Sequence, residues 1–262
     1  RAATPNNLAA GAQWVAVLGS AEDEVTAAFR HGRGVPYPAY HRFHEVMAEE
    51  SGQTVVAGLA DHILPLVPGL TDRLDAGIDV LDVGCGAGRA ARWLAKRFPA
   101  SRFAGYEFSA EAVAVAQKEA TAEGLTNVRF EVRDAAAVDE PGRYDLVTAF
   151  DVVHDQARPA AVLANVGRAL RPGGVFLMQD IATHAHLRDN LRHPLGPFLY
   201  TISCMHCMSV SLANGGPGLG AMWGRERALG MLAEAGFRHV RVERLPHDPA
   251  NDYYVAAVDA PA

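Results

Sequence analysis

The residues best suited to chemistry form a glycine-rich turn at the end of an apolar run. Residues 80–83, Val-Leu-Asp-Val, lead into Gly-Cys-Gly-Ala-Gly at 84–88. Glycines at such a turn let the backbone approach a ligand because no Cβ stands in the way. Glu107, 19 residues past Gly88, ends the next apolar run, where a carboxylate can accept hydrogen bonds from a ribose diol. The pattern predicts a nucleoside-containing cofactor; a turn that only packs a helix on a strand is the alternative.

Two further carboxylates bear on the class of cofactor. A dinucleotide requires Gly-x-Gly-x-x-Gly for its pyrophosphate. Counted from Gly84, the third glycine position of this motif is occupied by Arg89. A shifted register, with Gly86, Gly88 and Ala91, satisfies a looser form of the motif. Asp82 faces the turn, where an anion repels a pyrophosphate and suits a cation. S-adenosylmethionine carries a sulfonium and an ammonium and has no phosphate. Asp134, after the third run, is placed to accept from an adenine amino group, which favours S-adenosylmethionine.

The elements that must position these residues begin near residue 79, where short apolar runs alternate with helix-like segments. Predicted strands cover 80–83, 103–106, 128–132, 145–150 and 174–178, and predicted helices cover 89–98, 109–122 and 158–170. A helix over 225–235 and strands near 238–244 and 252–258 follow. Strand, helix and strand at this spacing predict βαβ units and a parallel sheet, whose carboxyl ends share one edge.

Taken together, these motifs resemble those of a class I S-adenosylmethionine-dependent methyltransferase. Residues 80–88 resemble its first motif, Glu107 its ribose-binding acid and Asp134 its adenine-contacting acid, while 144–151 and 170–177 resemble its fourth- and fifth-strand motifs. The match covers roughly 76–182 and, more weakly, 225–258. The flanking segments resemble an uncharacterised actinobacterial branch with an upstream winged-helix domain, which we expect to be absent from this segment.

The resemblance implies an α/β, Rossmann-like methyltransferase fold with a seven-stranded, mostly parallel sheet of order 3-2-1-4-5-7-6. We expect a helical N-terminal segment and lid over 1–75, then a cofactor-binding domain over 76–262 with a long, irregular, apolar substrate-cap insertion at about 183–225. The predicted cofactor contacts are Asp82, Gly84, Cys85 through its backbone N–H, Gly86, Glu107, Phe108, Asp134, Ala135, Phe150, Asp151, Tyr37 and Tyr40.

The N-terminal segment is predicted to be helical, with Ser20 as a helix N-cap and Gly32 as the helix end. Further helical stretches are expected over about 41–50 and 52–66. Between them lie aromatic side chains, Tyr37, Tyr40, Phe43 and His44. They are interpreted either as a lid over the cofactor or as packing of the helical segment onto the sheet.

A general base is needed only if the methyl acceptor is a hydroxyl or an ammonium. His154, just past the fourth strand, is the main candidate, with Asp155 or Asp151 to orient it; capping of the next helix is the alternative. His206 is a second candidate. Cys204-Met-His-Cys207 lies in the predicted cap and allows metal, redox or metalloid chemistry, but packing is the simpler reading, and no metal is predicted because zinc normally requires four ligands.

Composition excludes several classes of function. The 262-residue chain has 24 Lys and Arg against 30 Asp and Glu, a net charge of −6, which argues against nucleic-acid binding by this segment. No apolar run approaches the roughly 18 residues of a membrane helix. Three cysteines are too few for a disulfide framework, so we expect a cytoplasmic protein. Lys96 and Lys118 are the only lysines, and with the alanine content this indicates a bacterial source. A homodimer through the apolar N-terminal helices is an alternative to a monomer.

The sequence therefore predicts an enzyme that transfers a methyl group from S-adenosylmethionine to oxygen or nitrogen of a small, apolar or aromatic molecule. Two alternatives stay open at this point. One is a cofactor-sensing domain of a transcription regulator without turnover. The other is thiol-dependent methylation of a metalloid such as arsenite through Cys204 and Cys207.

Overall fold

The computed structural model describes residues 11–259 and places one seven-stranded sheet at the centre of the molecule. The strand order is β3-β2-β1-β4-β5-β7-β6, as the resemblance implies. Among the described strands, β7 runs antiparallel to both of its neighbours, β5 and β6, and the other neighbouring pairs are parallel. The strands are β1 Asp79–Val83, β2 Arg102–Glu107, β3 Val128–Val132, β4 Tyr144–Phe150, β5 Leu170–Ile181, β6 His239–Leu245 and β7 Asp248–Ala257. β5 extends beyond its predicted end at residue 178, which matters for the site.

The α-helices are α1 Trp14–Gly19, α2 Glu22–His31, α3 Phe43–Thr54, α4 Leu70–Ala76, α5 Arg89–Arg97, α6 Ala110–Ala122, α7 Pro159–Ala169, α8 Gly196–Ile202, α9 Met208–Ala213 and α10 Arg225–Glu234. Ser109 caps α6 by accepting from the Ala112 amide, and Gly32 ends α2 with a left-handed φ of 68°. The predicted N-cap Ser20 is wrong: its hydroxyl donates back to the Val17 carbonyl, so it ends α1 instead.

Both faces of the sheet are buried, as expected where helices cover a parallel sheet on either side. Alternation along β5 sends Phe176 and Met178 into one apolar cluster, with α7 and α10. Val175 and Leu177 point into the other cluster, with the 55–74 segment and α5. Since neighbouring residues on a strand point to opposite faces, the same alternation assigns the polar residues that follow on β5 to two separate compartments.

Two predicted segments differ from the structure. The predicted helix over 52–66 divides: α3 continues to Thr54, and the chain then follows short 3₁₀ turns and a π-helix, Leu59–Ile63. The cap, expected to be irregular, is largely helical, with α8, a π-helical turn Ser203–Cys207, and α9. In both segments tertiary packing overrides local signals, since Leu59, Ile63 and Cys207 are buried.

Within residues 11–259, no single helix has both the length and the apolar character needed to cross a membrane. A sharply bent pair of helical segments, Phe43–Leu66 and Leu70–Ala76, meets those criteria only when its members are combined.

The N-terminal segment is attached to the cap by a close backbone contact. The Val35 amide donates to the Ser209 carbonyl over 3.1 Å. At Gly34, an added Cβ would lie 1.9 Å from that carbonyl oxygen and 2.2 Å from the Ala213 nitrogen. Only glycine allows this approach, so Gly34 fixes the position of the aromatic residues that follow it.

Gly34→Ala should therefore destabilise the protein by about 1–3 kcal/mol, the typical cost of overpacking. Gly19→Ala is the matched control, because a Cβ there meets open space. Thermal unfolding of the two variants would measure the difference. Equal melting temperatures for both would show that the contact at Gly34 relaxes freely.

Candidate functional site

A cavity of about 980 Å³ lies along the carboxyl edge of the sheet, between the N-terminal segment and the cap. It is large enough for a nucleoside-sized cofactor together with a second small molecule, since ligand pockets typically measure about 300–1,000 Å³. Eleven of the twelve predicted cofactor contacts line it: Tyr37, Asp82, Gly84, Cys85, Gly86, Glu107, Phe108, Asp134, Ala135, Phe150 and Asp151. The strand ends bring these residues together, as the parallel arrangement predicts.

The glycine turn after β1 has the conformation that glycine allows. Gly84 has a φ of 65° and approaches Val152 so closely that a Cβ would lie 2.5 Å from a valine methyl group. Gly86 has a φ of 51°, and a Cβ there would meet open space. The backbone is thus exposed to a ligand at Gly86. The Cys85 amide already donates to the Tyr106 carbonyl over 3.2 Å, which corrects the expected role of that amide as a ligand donor.

Glu107 is held at the end of β2 by two backbone amides. Its Oε2 accepts from Gly86 over 3.2 Å and its Oε1 from Ser109 over 2.9 Å. A carboxylate offers about four acceptor positions, so both oxygens can still accept from a ribose diol. Phe108, half exposed, lies 5.4 Å from the Tyr37 ring between centroids. The pair gives this part of the cavity an aromatic wall.

Asp82 is buried at the end of β1, with 4% of its surface exposed. Its Oδ1 accepts from the Thr148 hydroxyl over 2.7 Å. Burial, with a smaller contribution from the Glu107 charge, raises the pKa of Asp82 to about 7. A cation bound beside this carboxylate would stabilise its charged form, as the sequence argument requires.

Asp134 lies at the more open end of the cavity. Its Oδ1 accepts from the Ala136 amide over 2.8 Å, and its Oδ2 accepts from Arg158 over 2.6 Å. Both carboxylate oxygens of Asp134 thus already accept a hydrogen bond. An adenine amino group would have to donate to an oxygen that also accepts from Ala136 or Arg158. Contact with adenine stays a prediction, and Arg158 is a neighbour that the sequence did not indicate.

His154 is buried, and its Nδ1 lies 2.9 Å from Asp180 Oδ1. Asp180 also accepts from Trp223 Nε1 over 3.0 Å. The orienting carboxylate is therefore Asp180 and not the expected Asp151, which lies 3.7 Å from the ring, or Asp155, which accepts from Tyr37. Sequence reasoning missed Asp180 because the predicted fifth strand ended at residue 178, two residues before Asp180, whereas β5 continues to Ile181.

The His154–Asp180 pair has opposing electrostatic contributions. Burial by itself lowers the pKa of His154, but the Asp180 charge, the neighbouring Cys207 side chain and the bond to Asp180 raise it, and the net pKa lies well above the ordinary value. Asp151, His154 and Asp180 also place three potential metal-ligand atoms within 4.8 Å of one another. The short contact between Nδ1 and Asp180 is that of a hydrogen bond, which accounts for this grouping without an ion.

His206, the second candidate base, lies in an aromatic cluster. Its ring stacks on Phe43 at 4.2 Å and meets Tyr40 edge-on at 4.7 Å. Burial lowers the pKa of His206 to about 3, with contributions from His154 and His44. It is neutral and a weak base at neutral pH. Of the two candidates, His154 therefore stays the predicted general base.

Tyr40 does not line the cavity, which corrects its assignment as a cofactor contact. Its ring is buried in the N-terminal apolar cluster, and its hydroxyl donates to the Met205 carbonyl over 2.6 Å. It fastens the N-terminal segment to the cap. Tyr37, by contrast, lines the cavity and donates to Asp155.

Cys204 and Cys207 lie in the π-helical turn of the cap. Among the described residues, the group of potential metal-ligand atoms consists of Asp151, His154 and Asp180 and includes neither cysteine. Cys207 is buried beside His154, and burial raises the pKa of its thiol. The arrangement favours packing and does not support metalloid binding.

Comparison with known proteins decides the family. A family model described as a methyltransferase domain matches residues 74–236, more than half of the chain. The chain belongs to this methyltransferase family. A ubiquinone biosynthesis O-methyltransferase of Leptothrix cholodnii is 35% identical over 104 residues, 38% of this chain and 43% of that protein. A trans-aconitate 2-methyltransferase of Deinococcus radiodurans is 36% identical over 115 residues, 43% and 41%. The chain thus spans under half the length of these relatives.

Solved structures show the same fold. An O-methyltransferase family protein from Burkholderia thailandensis has a TM-score of 0.68 at 17% identity, covering 94% of this chain and 68% of that one. Human N-acetylserotonin methyltransferase, solved with S-adenosylmethionine, has a TM-score of 0.62 at 19% identity, covering 91% and 66%. At these identities the likeness establishes architecture only.

Family membership implies S-adenosylmethionine as methyl donor, and the residues present fit it. The open space at Gly86 admits a ligand against bare backbone, and Asp82 is a buried carboxylate whose side-chain partner is the neutral Thr148 hydroxyl. Glu107 retains acceptor capacity beside the aromatic wall. When bound, the cofactor would supply an electrophilic methyl group on a cationic sulfur.

Asp82→Asn tests this match through pH. A cationic ligand favours the ionised carboxylate, so wild-type affinity for S-adenosylmethionine should rise with pH below about 7, the pKa of Asp82 in the free protein, and level off above it. The variant should lack this increment and bind about tenfold more weakly at alkaline pH, on the scale of one charge-assisted hydrogen bond. Calorimetric titrations of both proteins over the pH range provide the affinities. Taking the difference between wild type and variant at each pH cancels the effect of protonation of the ligand itself. Parallel pH curves would exclude Asp82 from cation binding.

Proposed function

We propose that this chain catalyses methyl transfer from S-adenosylmethionine to an oxygen or nitrogen nucleophile of a small molecule. One observation carries the proposal. The same cavity contains the glycine turn with Asp82 and Glu107, and it also contains the buried His154–Asp180 pair. Cofactor recognition and proton acceptance are thus available side by side.

The proposed chemistry depends mainly on position. The sulfonium methyl group is already electrophilic, so the protein has to hold a nucleophile in line, at about 3 Å, in a pocket from which water is excluded. Glu107 holds the ribose, and Asp82 stabilises the cationic end. His154 accepts the proton that a hydroxyl nucleophile releases, while Asp180 fixes the orientation of the ring and stabilises the imidazolium.

Substitution of Glu107 tests the cofactor part of the proposal. Glu107→Ala removes the ribose acceptor and the bonds to the Gly86 and Ser109 amides, so affinity for S-adenosylmethionine should fall at least tenfold, given about 1.5–3 kcal/mol per charged hydrogen bond. Glu111→Ala is the control, since it makes the same charge change at an exposed position nearby. Equilibrium dialysis with labelled cofactor provides the measurement. Binding at wild-type strength in Glu107→Ala would refute the ribose assignment.

A panel of phenols, alcohols and amines then tests turnover. The proposal requires S-adenosylhomocysteine to appear only when an acceptor is present. Cofactor binding without turnover on any acceptor would favour the sensor alternative, which no feature of the described residues supports at present.

The pH dependence of the rate tests the His154–Asp180 pair. His154 acts as a base only when neutral, and its pKa is raised, so the rate with a hydroxyl acceptor should increase with pH above neutrality. Asp180→Asn removes the anion that raises this pKa and should move the ascending limb to lower pH. His154→Gln should lower kcat about 100-fold, at the low end of general-base contributions.

Cofactor affinity should be unchanged in both variants, which separates a catalytic defect from unfolding. If the ascending limb of the pH–rate profile stays at the same pH in Asp180→Asn, a group other than His154 controls the rate in that pH range and the His154–Asp180 pair is structural.

A further inference from the structure

A second group of polar side chains lies in the same cavity, where α3, the ends of β4 and β5, and the β6–β7 hairpin meet. We call it the polar end. Its members are Glu50, Gln53, Asp151, Gln179, Asp248 and Asn251. Apart from Asp151, none was singled out from the sequence. Asp151 is also a predicted cofactor contact, whereas the methyltransferase chemistry described above does not use the other five.

Local contacts hold these residues near one another. The Asp151 amide donates to the Gln179 carbonyl over 2.9 Å. Asn251 on β7 lies opposite Ile181 on β5. Ile181 and Gln179 are two residues apart on β5, so the side chains of Gln179 and Asn251 share one face of the sheet. His247 Nε2 lies 3.1 Å from the Thr54 carbonyl, which fastens the hairpin to the end of α3.

Buried acceptors without donors point to a ligand at the polar end. Among the described residues, no hydrogen-bond partner reaches Gln53 Oε1, Asp151 Oδ1, Gln179 Oε1 or Asn251 Oδ1. The Gln53, Gln179 and Asn251 side chains are more than nine-tenths buried. The Asn251 amide is fixed in orientation, because its Nδ2 donates to both oxygens of Asp248, at 2.8 and 2.9 Å. Asn251 lines the cavity, and its oxygen is an acceptor that has no donor among the described residues. Leaving such atoms unpaired is costly.

The polar end carries three carboxyl groups, and among residues 11–259 the only ion-pair contact of these groups is that of Asp151 with His154, at 3.7 Å. Burial raises the pKa of Glu50, and the Asp248 charge adds to the effect. Burial also raises the pKa of Asp151 to about 7; His154 opposes this shift, and Asp180, Glu50 and Asp155 increase it. His154 is the cation nearest to Asp151, but Asp180 holds it more closely. Acceptors and negative charge together favour a cationic hydrogen-bond donor.

Apolar and aromatic side chains line the cavity beside these carboxylates. Trp14 donates from Nε1 to Glu50 Oε2, and its ring lies 5.5 Å from that of Phe43. Met47 lines the same wall. Aromatic faces attract organic cations, so this wall suits the apolar body of an amine.

We propose that the methyl acceptor is a hydroxylated organic amine, bound at the polar end through its ammonium group. This inference rests on the proposed function and names its substrate class. Glu50, Asp151 and the Asn251 oxygen accept from the ammonium, and Trp14 and Phe43 contact the apolar body. Since an ammonium nitrogen has no lone pair, the methylated atom is the hydroxyl oxygen, whose proton passes to His154. The sulfur–methyl bond breaks as the oxygen–methyl bond forms, and the electron pair stays on sulfur.

Two probe molecules isolate the ammonium group. Tyramine and 4-ethylphenol share the phenol ring and differ at the amine. Calorimetry with protein saturated with S-adenosylhomocysteine should show tyramine binding at least tenfold more tightly. Tyramine should not displace the bound nucleoside, because no member of the polar end other than Asp151 is a predicted cofactor contact. Equal affinity for the two probes, absence of binding by both, or competition with the nucleoside would each overturn the proposal.

Glu50→Gln should reduce the preference for tyramine to threefold or less without changing affinity for 4-ethylphenol. Glu49→Gln, one residue earlier on α3, is the matched control and should keep the full preference, since Glu49 bonds to Gln13 outside the polar end. Asp151→Asn is a second isosteric test, because asparagine tolerates the left-handed φ of 60° at this position. A preference retained in both Glu50→Gln and Asp151→Asn would overturn the subsite.

The two proposals fail in different ways. Absence of S-adenosylhomocysteine binding in the first titration would contradict the proposed function, whereas the tyramine preference is read separately in nucleoside-free protein. Turnover of 4-ethylphenol at the same kcat/KM as tyramine would support the proposed methyltransferase function and contradict the proposed recognition of an ammonium group.

Discussion

The site depends on carboxylates that are buried at the carboxyl edge of the sheet with few neutralising partners. Burying a carboxylate is unfavourable unless hydrogen bonds or a counter-charge offset the lost hydration. Asp82 has a single side-chain donor, Thr148, and Glu107 has two backbone amides. Their remaining acceptor capacity faces the cavity. A cationic, hydroxyl-bearing ligand supplies what the fold lacks there, so binding and the relief of this electrostatic cost are the same event.

Parallel strands explain how these groups come to share one edge. Each βαβ unit returns the chain in the same direction, so Asp82, Glu107 and Asp134, far apart in sequence, end neighbouring strands on one side. The tight turns beyond the strands then need unusual backbone conformations. Gly84 and Gly86 adopt positive φ without steric cost, whereas Asp151 does so as a non-glycine residue. Such outliers concentrate where a side chain must be aimed at a site.

The pleat of β5 divides the polar chemistry between two compartments. Asp180 points to the face that carries Trp223 and His154, and it completes a buried hydrogen-bonded pair. Gln179, the residue before it, points to the opposite face, towards the polar end. One strand thus positions the proposed proton acceptor and part of the proposed ammonium site. A register slip of one residue would exchange the two.

Local sequence patterns predicted the sheet well because the signals lie within single elements. Alternation of apolar runs with helical segments gave the strands, and Ser109 and Gly32 marked helix ends by their side-chain and backbone chemistry. The predictions failed where two conformations compete locally. Ser20 follows one short helix and precedes another, so its type alone could not show which end it serves. Tyr40 could pack or contact a ligand, and only its burial against the cap shows packing.

The sequence by itself determined the sheet, its glycine turn and the three strand-end carboxylates, because motif, turn and spacing are properties of contiguous residues. The tertiary structure decided which acid orients His154 and why His206 is a poor base, since both depend on neighbours 26 or more residues away. It also assembled the polar end from α3, β5 and the hairpin. Burial, unpaired acceptors and the grouping of carboxyl groups are properties of that assembly, and no single segment of the chain contains them.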